Sequence, residues 1–299
     1  MRKGHHVIAI RTGFFQLAAS ALCAGTVSTA SAQPTTVFGV TEDQTLVSFD
    51  ASTPGTIASG VAISGLAANE TIQGIDFRPA TGQLYALGSF SNLYTIDIVS
   101  GMAAQVGSSS FLPGLNGSSF GFDFNPTIDR IRVVSDADQN LVLNPNDGTS
   151  TAVTSLFYAT GDPNEGINPN VVASAYTNSF AGATVTQLFG IDTGLDVLVR
   201  QANSAGTLET VGSLGVDLND LAGFDIDGRS NAAYAAVFDA DLFRTTFWTI
   251  DLTTGFATQI GEIGGGSRVG AIAVVGAVPA PGTAAVLALA GVGAVRRRR

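Results

Sequence analysis

Between residues 35 and 275 the chain alternates short apolar runs with clusters of Gly, Asn, Asp, Ser and Thr. The runs are rich in Val, Ile, Leu, Phe and Tyr, a pattern that predicts β-strands joined by tight turns rather than helices. One phrase recurs. Gly74-Ile75-Asp76-Phe77-Arg78-Pro79 returns as Gly121-Phe122-Asp123-Phe124-Asn125-Pro126 and as Gly223-Phe224-Asp225-Ile226-Asp227-Gly228. Ala173 to Asn178 keeps the spacing in degenerate form, and Gly270 to Val275 begins a further copy that is cut short. Starts at 74, 121, about 173, 223 and 270 define a period near 50 residues.

Each period holds four strand-like runs, which in the first copy are Ile75–Arg78, Leu84–Leu87, Leu93–Ile98 and Ala103–Val106. A second marker falls between the third and fourth runs. Asp97 precedes Gly101 by four residues, as Asn144 precedes Gly148 and Asp251 precedes Gly255; Asp50 and Gly55 are one residue further apart. Asp or Asn opens a turn by bonding the backbone ahead, and Gly accepts the positive φ that closes it. These acids therefore read as turn formers rather than catalysts.

Four-stranded units at this period predict propeller blades. The last copy has only its first strand, Val269–Val275, whereas Thr36–Val40, Thr45–Phe49 and Thr56–Ile63 supply three strands ahead of the first copy. Together they predict a closing blade shared by the N- and C-terminal strands, which hides edge strands. The expected fold is all-β: a five-bladed β-propeller of four-stranded antiparallel blades over residues 33–276. A sixth blade requires strands hidden in the insertion Leu156–Asn170. Its Gly161-Asp162-Pro163-Asn164-Glu165-Gly166 run reads instead as a loop projecting from one face. A β-sandwich or a solenoid is the alternative architecture.

The two ends change the picture. Arg2, Lys3 and Arg11 precede an apolar stretch from Phe14 to Ala24, and Ala30-Ser31-Ala32 supplies a small-x-small site. This predicts a signal peptide over residues 1–32, cleaved between Ala32 and Gln33. Cys23 does not predict lipidation, because Leu22 stands where a small residue is expected. At the other end, Val278-Pro279-Ala280-Pro281-Gly282-Thr283 leads into the apolar run Ala284–Val295, closed by Arg296 to Arg299. The apolar run is shorter than the roughly 20 residues that span a bilayer comfortably. The arginines would stay on the cytoplasmic side.

Residues 277–299 resemble the PEP-CTERM sorting signal of Gram-negative bacteria: a Pro-x-Pro-Gly-Thr motif at Pro279, Pro281, Gly282 and Thr283, a short hydrophobic helix and an arginine cluster. Ala280 stands where that signal has Glu. The resemblance implies an exosortase-type membrane protease as partner, transient anchoring of the C-terminal helix in the inner membrane, and transfer to the outer envelope or release. A plain C-terminal anchor would leave the same domain outside the inner membrane. Gly74–Tyr85, Ser119–Pro145 and Gly190–Asp196 resemble a bacterial family known as domain of unknown function 4394. That resemblance covers most of residues 36–275. It implies a propeller-like fold and frequent company with this tail, and it supplies no catalytic residue.

Composition narrows the chemistry. The chain has 299 residues, 45% of them hydrophobic, with 36 glycines and a formal net charge of −10. Seven of its 14 basic residues lie in the two end segments, leaving seven against 24 acids, a net charge of −17. Such a surface predicts no nucleic-acid partner, because phosphate binding needs clustered Lys and Arg. Cys23, His5, His6 and Lys3 are the only Cys, His and Lys residues, and all precede the predicted cleavage. The mature chain would hold no disulfide, no Ser-His-Asp or Cys-His unit, no Schiff base and no His or Cys metal site. A metal there would be an oxygen-liking cation such as Ca²⁺; no other cofactor is expected.

The strongest candidate site lies on the first strands of the blades. Asp76, Asp123 and Asp225 are repeat-equivalent, and Arg78, Asn125 and Asp227 follow two residues later, on the same strand face. Ring closure would bring them towards one axis. They could bind a polar ligand or cation, or supply paired carboxylates for sugar hydrolysis. They could equally hold neighbouring blades together or pair with Arg130 or Arg132. Asp136, Asp138 and Asn140 place oxygens at alternate positions, as Ca²⁺ loops do, and so do Asp225 and Asp227; neither completes the twelve-position pattern. The scattered aromatics Phe77, Tyr85, Tyr94, Phe122, Phe124, Phe224, Tyr234 and Trp248 read as packing between blades.

These readings converge on an exported, non-enzymatic binding or scaffold protein of the cell envelope or extracellular matrix, associated with extracellular polysaccharide. The rival is a carboxylate-dependent glycan hydrolase using first-strand acids at the channel mouth.

Overall fold

The predicted turn chemistry shapes three of the outer hairpins, while Gly55, expected to close the Asp50 turn, is not at positive φ. Asp97 accepts the amides of Val99 and Ser100 at 3.0 and 2.7 Å, and Gly101, at φ +72°, donates its amide to the Asp97 carbonyl at 2.8 Å. Asn144–Gly148 and Asp251–Gly255 close the same way, at φ +75° and +84°.

The computed structural model describes residues 34–275. The predicted signal peptide with its cleavage site at Ala32 and Gln33, and the predicted sorting tail with Pro279, Pro281, Gly282 and Thr283, lie outside the described residues. Three strands come first: β1 (Thr36–Thr41), β2 (Thr45–Asp50) and β3 (Ile57–Ala62). Blade 1 follows as β4 (Ile72–Phe77), β5 (Leu84–Gly88), β6 (Leu93–Ile96) and β7 (Ala103–Val106). Blade 2 is β8 (Phe120–Asn125), β9 (Arg130–Ser135), β10 (Asn140–Leu143) and β11 (Ser150–Ala152). Blade 3 contains β12 (Phe157–Tyr158), β13 (Val171–Tyr176), β14 (Leu188–Asp192), β15 (Val197–Gln201) and β16 (Thr207–Ser213). Blade 4 is β17 (Ala222–Ile226), β18 (Ala233–Asp239), β19 (Arg244–Ile250) and β20 (Ala257–Glu262). The last strand, β21 (Val269–Val274), pairs antiparallel with β1. The sheet order β21-β1-β2-β3 makes the fifth blade from both ends of the domain.

The first strands β4, β8, β13, β17 and β21 pack against one another in sequence, and β21 returns to β4, so the ring closes. Among the described residues the buried apolar side chains form five clusters, one at each blade junction. Edge-on aromatic pairs knit these junctions: Phe38–Phe77, Phe49–Phe247 and Tyr85–Phe124, with centroids 5.1 to 5.5 Å apart. The expected packing role of Phe77, Tyr85 and Phe124 is what these contacts provide. Two short 3₁₀ turns, at Asn203–Ala205 and Gly264–Gly266, complete the described structure. Among the described residues no helix is long and apolar enough to cross a membrane.

Two details depart from the sequence reading. The insertion after blade 2 does not project. Its β12 pairs parallel with β16, and Asp162 accepts both the amide and the hydroxyl of Thr210, at 2.6 and 2.8 Å. Blade 3 thus gains a fifth strand that covers its outer edge. The second detail is register. A Cβ on Gly74 would sit 2.6 Å from Phe122 Cβ, and one on Gly223 would sit 2.9 Å from the amide nitrogen of Ile272. The residue equivalent to Gly74 and Gly121 in the last copy is therefore Ala271, one position after the Gly270 that the sequence phrase suggested.

Candidate functional site

The repeat-equivalent acids meet at the axis. Asp76, Asp123 and Asp225 are all buried, and each offers one carboxylate oxygen within 4.8 Å of the others. They arrive there because period-two alternation points them from β4, β8 and β17 at the strand ahead. Asp76 Oδ2 accepts the amide of Phe124 at 2.7 Å, and Asp123 Oδ1 accepts that of Tyr176 at 3.0 Å. Asp225 Oδ2 accepts the amide of Val274, and its Oδ1 that of Ile226 at 2.6 Å. Each acid thus ties its blade to the next by one rule, and Ala175 and Ala273 occupy the same position in the other two blades.

Three carboxylates so close cannot all carry charge away from water. Burial, with the neighbouring charge of Asp225, holds Asp76 well above the usual carboxylate range. Burial and the charges of Asp76 and Asp225 do the same to Asp123. Burial pushes Asp225 up to about 7, against the pull of its amide donors and of a proton shared from Asp123. Shared protons keep the cluster tolerable near neutral pH.

The residues two positions on do not join them. Arg78 turns to the next blade: its Nε donates to Asp129 at 2.8 Å, and its guanidinium also reaches Tyr85 and Asn146. Asn125 Oδ1 accepts the amide and hydroxyl of Thr127, and Asp227 holds Arg229 and Ser230. These positions lie where the strands end, so the Asn125 and Asp227 side chains close local turns while that of Arg78 bridges to the next blade. Neither Arg130 nor Arg132 pairs with an axial acid. Arg130 donates to the carbonyl of Asp129, and buried Arg132 donates to Asn140, Tyr176 and Ser204.

Asp136, Asp138 and Asn140 also stay apart in role. Asp136 accepts the amide of Ser118 at 2.9 Å; Asp138 sits at φ +61° in a hairpin turn; Asn140 gives its oxygen to Arg132 at 2.8 Å. Among the described residues, the axial trio is the one group of acids whose oxygens converge closely enough to hold an ion.

On the side of the acids where the first strands begin, the axis first narrows and then opens. Gly74, Gly121, Ala173, Gly223 and Ala271 crowd into a neck with a void of only about 20 Å³. Beyond it, where the first strands begin, the ring flares into a basin of about 240 Å³. Gln73, Ser118, Ser119, Phe120, Asp220, Phe238 and Arg268 are among its walls. Arg268 lies over the Phe238 ring, 4.1 Å from its centroid, and pairs with Glu42. The basin was not foreseen from sequence, because its walls come from five blades and share no motif. The one available signal was Leu242-Phe243, an apolar pair at a hairpin tip between Asp241 and Arg244.

A family model described as "Domain of unknown function (DUF4394)" matches residues 45–273, well over half of the chain, and the chain belongs to that family. No curated protein matches it. Among solved structures it is similar to TolB from Acinetobacter baumannii, at 9% identity and a TM-score of 0.45, over 81% of this chain and 67% of that one. It is also similar to hydrazine synthase from Kuenenia stuttgartiensis, at 8% identity and a TM-score of 0.38, over 69% of this chain and 51% of that one. The matched region thus spans about half the length of the second.

Proposed function

We propose that this member of the family is an exported, non-enzymatic binding propeller of the cell envelope or extracellular matrix, taking its partner at the axial basin. The observation that carries this reading is the division of the axis. The acids that a glycan hydrolase would need are buried against one another and against the next blade's amides, whereas the open concavity lies beyond a neck that excludes them. Paired hydrolytic carboxylates flank a substrate in an open cleft, roughly 5 to 10 Å apart; here the oxygens lie within 4.8 Å of one another and out of solvent. Export is supported by the Ala30-Ser31-Ala32 site and by the Pro279-to-Thr283 motif with its arginines, which suits an exosortase-type protease. A net charge of −17 between the end segments disfavours nucleic acid as partner and leaves extracellular polysaccharide as the proposed one.

The test is to incubate the full chain with insoluble neutral and acidic polysaccharides, measuring protein retained and reducing sugar released, for the parent and for Asp76→Asn. Retention without sugar release, unchanged in Asp76→Asn, is expected. Sugar release that Asp76→Asn stops would overturn the reading.

A further inference from the structure

Each blade turns from its second to its third strand at the mouth end of the ring, and each of these turns holds one residue in the left-handed region. They are Gln44 (φ +58°), Ser91 (+64°), Asp138 (+61°), Asp196 (+52°) and Phe243 (+51°). Small polar residues tolerate that conformation; for a bulky side chain it is an outlier. Three of the polar residues use their side chains to anchor the linker into the next blade. Gln44 accepts the amide of Ile72 at 2.7 Å, Ser91 that of Leu115 at 2.9 Å, and Asp196 that of Leu218 at 2.9 Å. Phe243 has no polar atom for this task. Its ring stands edge-on to Phe238, with centroids 6.1 Å apart, and the Arg268 guanidinium lies 5.5 Å from its centroid. Although held from two sides, the residue is 69% exposed. A strained, exposed aromatic kept in place beside a cavity marks a recognition surface.

The cavity beside it is the basin, since Phe238 and Arg268 belong to both. Its walls combine apolar surface with hydroxyl and carboxamide groups. Among the described residues the Ser118 and Ser119 hydroxyls have no hydrogen-bond partner, and the Gln73 amide reaches only Thr71. Arg268, the cation among the basin walls, is already paired with Glu42, while Asp220 adds negative charge. A polyanion would meet no free positive charge here. The complementary ligand is uncharged, carries many hydroxyls and has one flat apolar face, which is the chemistry of a neutral sugar ring.

Resting on the binding reading above, we propose that the basin binds a neutral oligosaccharide, with one sugar ring stacked on Phe243 and its hydroxyls bonded by the serines and Gln73. The experiment measures binding of the full chain to immobilised neutral hexasaccharides of glucose, galactose, mannose and N-acetylglucosamine, with oligogalacturonate as the acidic control. Phe243→Gly removes the ring while suiting the left-handed turn, so folding is preserved; Phe243→Trp keeps an aromatic face. Expected is salt-insensitive binding to at least one neutral glycan, weakened about tenfold in Phe243→Gly and retained in Phe243→Trp. Neutral-glycan binding that Phe243→Gly leaves unchanged, or binding of the acidic control alone, overturns this inference while the binding propeller stands. Absence of glycan binding alongside capture of a purified envelope protein that Phe243→Gly abolishes would replace the sugar with a protein partner. Cleavage of any of these glycans would overturn the parent reading instead.

Discussion

The same five inner strands treat two stretches of the axis in opposite ways. At the neck and the acid trio, glycine and alanine let strands approach so closely that carboxylates from separate blades meet out of water. A few residues earlier the strands diverge into a basin lined by hydroxyls, an ion pair and aromatic side chains. Repetition explains the first region and irregularity the second. The acids occupy one repeat position and share one bond, accepted from an amide of the strand ahead. The basin draws on Arg268 and Glu42, with Phe243 at its side, and these break the pattern of the other blades. In a ring of similar units, residues that repeat hold the units together, while recognition falls to those that do not.

The largest effect should come from widening the neck. A Cβ on Gly121 would lie 2.6 Å from the backbone nitrogen of Ser174, which cannot swing away. Gly121→Val is expected to cost about 3 kcal/mol in urea-induced unfolding. A loss below about 1 kcal/mol would mean the neck is looser than its geometry.

The next effect is electrostatic and separates the acids from the basin. Their folded-state pKa values lie above the ordinary carboxylate range, so over that interval the folded chain keeps protons that the unfolded chain has released. Stability is then full in acid, below the ordinary range, and falls as pH rises through about 7, where Asp225 titrates. The expected loss between pH 5 and 8 is on the order of 2 kcal/mol. Asp76→Asn keeps an acceptor for the Phe124 amide, removes a charge, and should raise Tm at pH 8 while flattening the pH profile. A parent protein whose Tm at pH 8 rises with added Ca²⁺, but not in Asp76→Asn, would put a cation where shared protons are expected.

The smallest effect concerns Arg78, which bridges to Asp129 and Asn146 of the next blade from a partly exposed position. Arg78→Ala should cost about 1 kcal/mol in chemical unfolding and leave glycan retention unaltered. Lost retention with intact folding would bring Arg78 into the binding surface.

Much of this was legible in sequence, for a reason visible in particular residues. Asp76, Asp123 and Asp225 could be placed on one axis because strand alternation and the repeat spacing are both local regularities. Their partners two residues on were grouped with them by the same alternation. That grouping failed at Arg78, Asn125 and Asp227, where the strands end and turn geometry takes over. The insertion read as a projecting loop because its glycines and prolines mark turns; that Asp162 would fold back onto Thr210 depends on an edge supplied 48 residues later.

By itself the amino-acid sequence determined the four strands of each blade, the turn chemistry at Asp97–Gly101, Asn144–Gly148 and Asp251–Gly255, the number of blades and their closure by β1 and β21. Each rests on a pattern repeated along the chain, and repetition is what one dimension can display. Tertiary structure alone decided that the last copy is registered on Ala271, that the acids are sealed from solvent, and that Phe243 stands exposed beside an open basin. Those outcomes depend on how far apart five strands sit once the ring has closed. That spacing is set by packing between blades, to which no single stretch of sequence is sensitive.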